Sequence, residues 1–516
     1  MYSDVSAAGI YGGARGIYVE GNYAYLACGN IGGTGKLVIL DANFPKIGLD
    51  HTNLNWAVSV DQNWLNCFPS SGTNNGEVLV AVDTIGLSAG TYNGTITISD
   101  PKAVNSPQTV AVRLDVYQTG QLSVPFGVFA TPLDGSTVTG SIAVTGWVLD
   151  DTGVQSLQVY RKQGNNLVYI GDAYFVEGAR PDVEQAYPSY PMNYKAGWGY
   201  MMLTNFLPNG GNGTFDIEAI ATDIEGNQVS LGTKTIICDN TNAVKPFGAI
   251  DTPMQGGTAS GSIFINWGWA LTPQPNIIPT DGSTINVYID GINLGNPTYN
   301  LPRPDVESVF PGYANSSGPG GYFSLDTTAY ENGVHTIQWT ASDSDNNSDG
   351  IGSRYFTIQN IGAPLTQAQT ASFNRKKTRR KFSPLPRNPN VPINDFDSIS
   401  IRRGLTDDSE LEVVTCEESG VFIIKIEELE RLMIEFPGND RIIAGYTEIG
   451  NFFRPLPIGS ALDTQTGRFY WHPGPGFIGE YILVFIERMD SNRMKRKKNV
   501  IVRIEPKFTN YKNYKD

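Results

Sequence analysis

Residues 140–150 read GSIAVTGWVLD, and residues 261–271 read GSIFINWGWAL. This pair decides the fold, because the correspondence continues on both sides of it. Pro125-Phe126-Gly127 returns as Pro246-Phe247-Gly248, Thr131-Pro132 as Thr252-Pro253, and Gly146-Trp147 as Gly268-Trp269. Further along, Arg180-Pro181-Asp182-Val183-Glu184 returns as Arg303-Pro304-Asp305-Val306-Glu307, and Tyr187-Pro188-Ser189-Tyr190 as Phe310-Pro311-Gly312-Tyr313. Ala221-Thr222-Asp223 returns as Ala341-Ser342-Asp343, and the offset drifts only between 120 and 123. Such a register is duplication, not chance. Each copy, 122–240 and 245–360, has the size of a two-sheet sandwich carrying one long insertion.

Composition agrees with strands and turns throughout. The 516 residues are 17% charged, below the usual ~25%, with 57 Gly and 25 Tyr. This excludes a coiled coil, a collagen or a disordered acidic tail, and the length predicts three to five domains. No run of 18 apolar residues occurs, so no transmembrane helix is expected. Residues 1–360 carry 13 Lys+Arg against 31 Asp+Glu, whereas 361–516 carry 24 against 20. The acidic front repels nucleic acid and anionic lipid, so neither is an expected partner. Four widely spaced cysteines (Cys28, Cys67, Cys238, Cys416) form no framework and read as free thiols, although spacing alone leaves a Cys28–Cys67 pair open.

Three further segments frame the repeat. Residues 11–45 place Ile17-Tyr18-Val19, Tyr23-Ala24-Tyr25-Leu26 and Leu37-Val38-Ile39-Leu40 between Gly-Asn and Gly-Gly turns. This stretch, within 1–48, resembles one LVIVD repeat, a propeller-like unit that needs neighbours to bury its faces. Trp56, Asp61-Gln62-Asn63-Trp64-Leu65, the Pro69–Thr73 turn and Gly90–Ile98 give 49–118 a resemblance to the BACON-type Ig-like module. The tandem copies resemble bacterial Ig-like domains of secreted proteins. Residues 361–392 are a basic, then Pro-rich linker. In 393–508, Leu456–Ser460, Phe469-Tyr470-Trp471, Gly479, Tyr481 and Phe485 resemble Ig or cadherin-like modules of bacterial surface proteins. Lys425–Glu435 fits a short helix or a strand, with strand preferred. Met1–Ile10 lacks the pattern of an export leader. Because these resemblances imply an extracellular location, the expectation is a truncated start.

Candidate sites follow from polar clusters. Arg180, Asp182 and Glu184, with Arg303, Asp305 and Glu307, form the duplicated cluster in a Tyr- and Pro-rich insertion. As a ligand rim, its Arg forks to a carboxylate beside Tyr faces. As a clamp, Arg180 pairs with Asp182 or Glu184 and pins the loop, which duplication favours. Asp343, Asp345, Asn347 and Asp349 alternate oxygen groups as calcium loops do, although Ser348 and Arg354 stand where such a loop has Gly and Glu. An ordinary polar turn is the simpler account, and calcium the one cofactor considered. Asp150 and Asp151 read as turn acids, since neighbours on a strand face opposite ways. Arg375–Lys381 and Met494–Lys498 read as solvated charge, the second as a hairpin tip. Trp147, Trp269, Trp339 and Trp471 read as sandwich core.

The expectation is therefore an all-β string of Ig-like β-sandwich domains with an N-terminal propeller-like fragment. No catalytic elbow, zinc motif or phosphate loop occurs. The resemblances imply a non-catalytic extracellular or cell-surface protein for adhesion or for binding a glycan or surface protein. The alternative is a passive spacer, or accessory modules of a larger secreted enzyme.

Overall fold

The computed structural model describes residues 55–116 (except 74–75, 102 and 104–105), 123–360 and 398–508 (except 407–408, 437–440, 451 and 489–494). It also gives the backbone strands Gly16–Glu20, Tyr23–Ala27 and Gly33–Ile39. The fold is all-β, built as paired sheets over separate cores. Among the described residues no helix is long and apolar enough to cross a membrane.

In the first module Asn55–Val60 pairs with Gly90–Ser99, which pairs with Gln108–Val116, and Gly76–Val82 pairs with Leu65–Phe68 in the facing sheet. Alternation buries Val78, Val80 and Val82 against Trp56, Trp64, Ile96 and Leu114. Trp56 lies so close to the Ser71–Thr73 strand that a Cβ at Gly72 would fall 2.2 Å from its ring. The strands read as a propeller-like unit pair into this same module. Tyr23–Ala27 runs parallel to the last strand, and Gly33–Ile39 pairs with Gly76–Val82. An isolated repeat leaves ladder groups unpaired, and the neighbouring sheet edges satisfy them. Residues 361–397, including the basic linker, lie outside the described residues, as does Cys28.

The two copies share one topology. Each has a four-stranded sheet (Phe126–Thr131, Ser141–Leu149, Gly197–Leu203, Tyr174–Phe175; then Phe247–Ile250, Phe264–Leu271, Gly320–Leu325, Thr298–Leu301). Each faces a five-stranded sheet whose first strand runs parallel to the last. Trp198 and Trp339 sit fully buried at the two cores. The copies touch through Phe206, whose ring centroid lies 5.2 Å from Phe310, and through the Tyr174–Tyr355 stack at 5.2 Å and 16°.

The last module has two five-stranded sheets over Phe422, Ile434, Phe469, Trp471, Tyr481 and Phe485. The ambiguous stretch from Lys425 resolves into the end of Val421–Glu427 and the strand Leu432–Glu435, turned by Leu429 at φ +67°. Lys498 corrects the expectation of a solvated tip. It lies within the Lys495–Glu505 strand, 1% exposed, with Nζ 3.5 Å from buried Glu487. Strand alternation turned part of a charge run inward, where it required a partner.

This module is not strung out beyond the pair. It wedges between the four-stranded sheet of copy 1 and the five-stranded sheet of copy 2. Tyr481 Oη donates to the Ala179 carbonyl, and Tyr355 Oη to that of Pro475 at 2.9 Å. Gln338 Nε2 donates to the His472 carbonyl at 2.8 Å, Arg431 Nε to that of Gly291 at 2.7 Å, and Tyr288 Oη to that of Leu405 at 3.0 Å. Val176, Ala179 and Tyr355 belong to its core cluster.

Candidate functional site

Each duplicated motif forms a one-turn helix, Pro181–Ala186 and Pro304–Val309, with Pro at the start, where its missing N–H costs nothing. The preceding Arg has extended φ and turns back over the turn. Arg180 Nε and Nη2 donate to Asp182 at 2.8 and 2.6 Å, and Arg303 Nε and Nη2 to Asp305 at 2.8 and 2.6 Å. These bidentate forks lie within each motif. Hydrogen bonding from Arg303 brings the Asp305 carboxyl down to about 2, and at Asp182 burial opposes Arg180 but the carboxyl is still lowered. Behind each helix an aromatic cluster pins the insertion to the outer sheet face. Trp147 packs with Phe126 and Tyr187, and Trp269 with Phe247 and Phe310.

Beyond the fork the copies diverge. Glu184 is 8% exposed and accepts from Arg454 Nη2 of the last module at 2.7 Å, whereas Glu307 is exposed. Arg303 Nη1 also reaches Asp251 Oδ2 at 2.6 Å, a carboxylate that copy 1 replaces with Ala130.

The register shows what the outer face carries next to the helix. In copy 2 Trp267 sits opposite Tyr322, their centroids 5.2 Å apart and planes tilted by 51°, with Trp267 40% exposed. Trp267 N donates to Thr252 Oγ1 at 2.8 Å, and Asp251 N to the Trp267 carbonyl at 2.8 Å. The corresponding pair in copy 1 is Thr145 opposite Gly199. Both lie under the last module: Thr145 Oγ1 donates to Glu428 Oε1 at 3.5 Å, and a Cβ at Gly199 would fall 2.1 Å from the Pro475 carbonyl.

Asp251 also lines a cavity of about 300 Å³ between the copies, with Asp172, Tyr174, Tyr200, Gln255 and Arg354. Arg354 Nη2 donates to the Ile250 carbonyl at 3.0 Å and Nη1 to that of Ser353 at 3.4 Å. Burial lowers its pKa, opposed by Tyr200 and Asp251. Tyr200 Oη donates to the Ile170 carbonyl at 3.3 Å, and burial raises its phenol.

The acidic loop is organised around Asp343. Its carboxylate accepts from the N–H groups of Asp345 and Asn347 at 3.0 Å each, from Thr272 Oγ1 at 3.0 Å and from Asn276 Nδ2 at 3.1 Å. Burial raises its pKa, but these donors outweigh it and hold the group below the usual range. Asp349 instead pairs with Lys507 at 2.6 Å. Among the described residues no group of three or more His, Cys, Asp or Glu side chains is arranged to hold a metal ion. Asp150 accepts from Thr152 N at 2.8 Å and Gly153 N at 3.1 Å, and Asp151 from Ser123 Oγ at 2.9 Å. His335 sits between Asp290 (2.6 Å) and the Glu331 carbonyl (2.8 Å). Trp269, Trp339 and Trp471 are buried, and Trp147 is half-buried against its cluster. Cys67, Cys238 and Cys416 are free, and burial raises the first two thiols, to about 11 and about 12.

Trp267, Tyr322 and Asp251 carried no weight in the sequence. The available signal was Trp267-Gly268-Trp269, which by alternation puts both tryptophans on one face, although only Trp269 meets the insertion.

The fold defines a chain of β-sandwiches, and residues 50–111 match the family model described as Viral BACON domain. No curated protein matches the chain. Solved structures that match include the fibronectin(III)-like modules of Clostridium thermocellum CbhA, at 13% identity and a TM-score of 0.16, covering 47% of this chain and 100% of that one. An endo-fucoidan hydrolase of glycoside hydrolase family 107 matches at 11% identity and a TM-score of 0.22, covering 67% of this chain and 44% of that one. The protocadherin gammaB4 extracellular domain matches at 11% identity and a TM-score of 0.16, covering 87% and 61%.

Proposed function

We propose that this chain is a non-catalytic binding protein of the cell exterior or cell surface, its modules holding one recognition face toward a glycan or surface protein. BACON and Ig-type modules are common in extracellular accessory and binding roles, and fold alone does not go further. The observation that carries the proposal is the exposed Trp267, packed on half-buried Tyr322, beside the Arg303–Asp251 ion pair. Large aromatics left uncovered next to fixed polar groups are the usual make-up of a recognition surface. A passive spacer needs no such face. The Arg180–Asp182 and Arg303–Asp305 forks serve as clamps, with Arg303 doing double duty through Asp251.

The test is to immobilise the full chain and probe it with a glycan array and with solubilised envelope proteins. Saturable retention that Trp267→Ala weakens is the expected result. No retention of either class would leave the spacer or enzyme-accessory role.

A further inference from the structure

The geometry points to the cavity between the copies, together with the adjoining Trp267–Tyr322 pair, as one site for a neutral oligosaccharide. This deepens the proposal above by naming the ligand class, and rests on it. Asp251 joins the two parts, since it is hydrogen-bonded to the Trp267 backbone and also lines the cavity.

The cavity's chemistry selects the ligand. Its acids are Asp172 and Asp251, the second neutralised by Arg303 at 2.6 Å. Its cation is Arg354, whose hydrogen bonds go to two main-chain carbonyls and to no carboxylate. A guanidinium has five N–H donors, so most of those on this half-buried side chain remain for a guest. An anionic sugar would face the Asp172 carboxylate, and a cationic ligand would face Arg354. A neutral polyhydroxyl ligand meets neither repulsion. Its hydroxyls donate to Asp172 and Asp251 and accept from Arg354 and the Gln255 amide. Met254 and Ala173 supply apolar wall for C–H edges. A volume of about 300 Å³ lies at the small end of ligand pockets, which suits one sugar ring with the chain continuing outside. Trp267 and Tyr322 then offer ring faces to the next residue's C–H surface. A nucleotide would also stack, but its phosphates oppose the acidic charge of residues 1–360.

Copy 1 cannot repeat the site. Ala130 removes the carboxylate, and Thr145 and Gly199 lie beneath the last module. The site therefore exists once, and the clamp that duplication preserved does not account for it.

Calorimetry on the full chain tests this, with cellohexaose, xylohexaose and mannohexaose against hexagalacturonate as the charged counterpart. At least one neutral hexasaccharide is expected to bind with Kd in the range of about 10 μM to 1 mM, and hexagalacturonate about tenfold more weakly or worse. Trp267→Ala and Asp172→Ala, both at exposed positions, should each weaken binding about tenfold, with unchanged melting as the folding control. Phe68→Ala, an exposed aromatic of the first module, should leave it intact. No heat with any neutral sugar, equal affinity for hexagalacturonate, or binding that survives both substitutions would overturn the assignment. In each of these cases, retention of some ligand on the array would leave the binding-protein proposal standing. Loss of that retention as well would remove both.

Discussion

Copy 1 and copy 2 share strand order, helix, Arg–Asp fork and aromatic backing, yet they turn opposite sheets toward the last module. Copy 1 offers its four-stranded sheet, where Thr145 and Gly199 leave room. Copy 2 offers its five-stranded sheet through Tyr288 and Gln338, and leaves its four-stranded sheet bare with Trp267 and Tyr322. What duplication kept is what closes each sandwich. What diverged is the outward set: Thr145 against Trp267, Gly199 against Tyr322, Ala130 against Asp251, Glu184 against Glu307. Small residues on a sheet face invite a partner module, and large ones exclude it.

The most severe way to break this difference is to make copy 1 resemble copy 2. Gly199→Tyr drives a side chain into the Pro475 backbone, 2.1 Å from its Cβ position, and the backbone cannot yield as a side chain can. The expected result is undocking of the last module, at a cost of about 3 kcal/mol or more, read as new protease cleavage and faster amide exchange in 398–508. The reverse change, Tyr322→Gly, should leave the last module docked, at a cost of about 1 kcal/mol for a glycine inside a strand and the lost ring contact.

Glu184→Ala removes the carboxylate that Arg454 donates to at the interface and should cost about 2–3 kcal/mol, whereas Glu307→Ala on the exposed counterpart should stay within about 0.5 kcal/mol. Paired thermal melts measure the difference. Equal effects would mean that the Arg454 contact contributes nothing.

The wedge also carries two buried titratable groups of opposite sign. Glu428 accepts from Thr131 Oγ1 at 2.8 Å, with Thr145, Lys507 and, through Lys507, Asp349 beside it, and burial raises it to about 7. A raised carboxyl stabilises the folded state fully below about 4.5 and loses that contribution as pH climbs to about 7. His472 is buried and also feels Arg431, which together lower it to about 3, so its contribution is present above 6.5 and is lost as pH falls to about 3. Between pH 4.5 and 6.5 the two slopes oppose one another. Stability should therefore be nearly flat there in the parent chain, and in Glu428→Gln should rise by roughly 1 kcal/mol per pH unit. Melts at pH 4.5, 5.5 and 6.5 check this, and parallel profiles would show that Glu428 is not held protonated.

The smallest stability effect expected is at the exposed pair. Trp267→Ala should shift the melting temperature by no more than a degree or two, since about 0.5 kcal/mol is typical away from buried features. A large drop would show that the pair is structural.

Much of the fold was legible because strand alternation and turn residues are local. The repeat and the strands around Lys425 came from pattern alone, and the BACON-like stretch from a resemblance in its residues. The clamp was legible as a pairing of Arg180 with Asp182 or Glu184, and the geometry of the turn selected Asp182. Lys498 was not, because a run of like charges reads as solvated until a facing strand supplies Glu487. Nor was the candidate site: Asp172 and Arg354 are 182 positions apart, and meet only because the copies abut.

What the amino-acid order determined by itself was the set of closed β units and the clamps within them, all made from contacts inside one module. Which faces are covered and which are open was decided only on packing three modules together. Burial is a property of the surface a neighbour removes from water, and no single module's pattern specifies its neighbour.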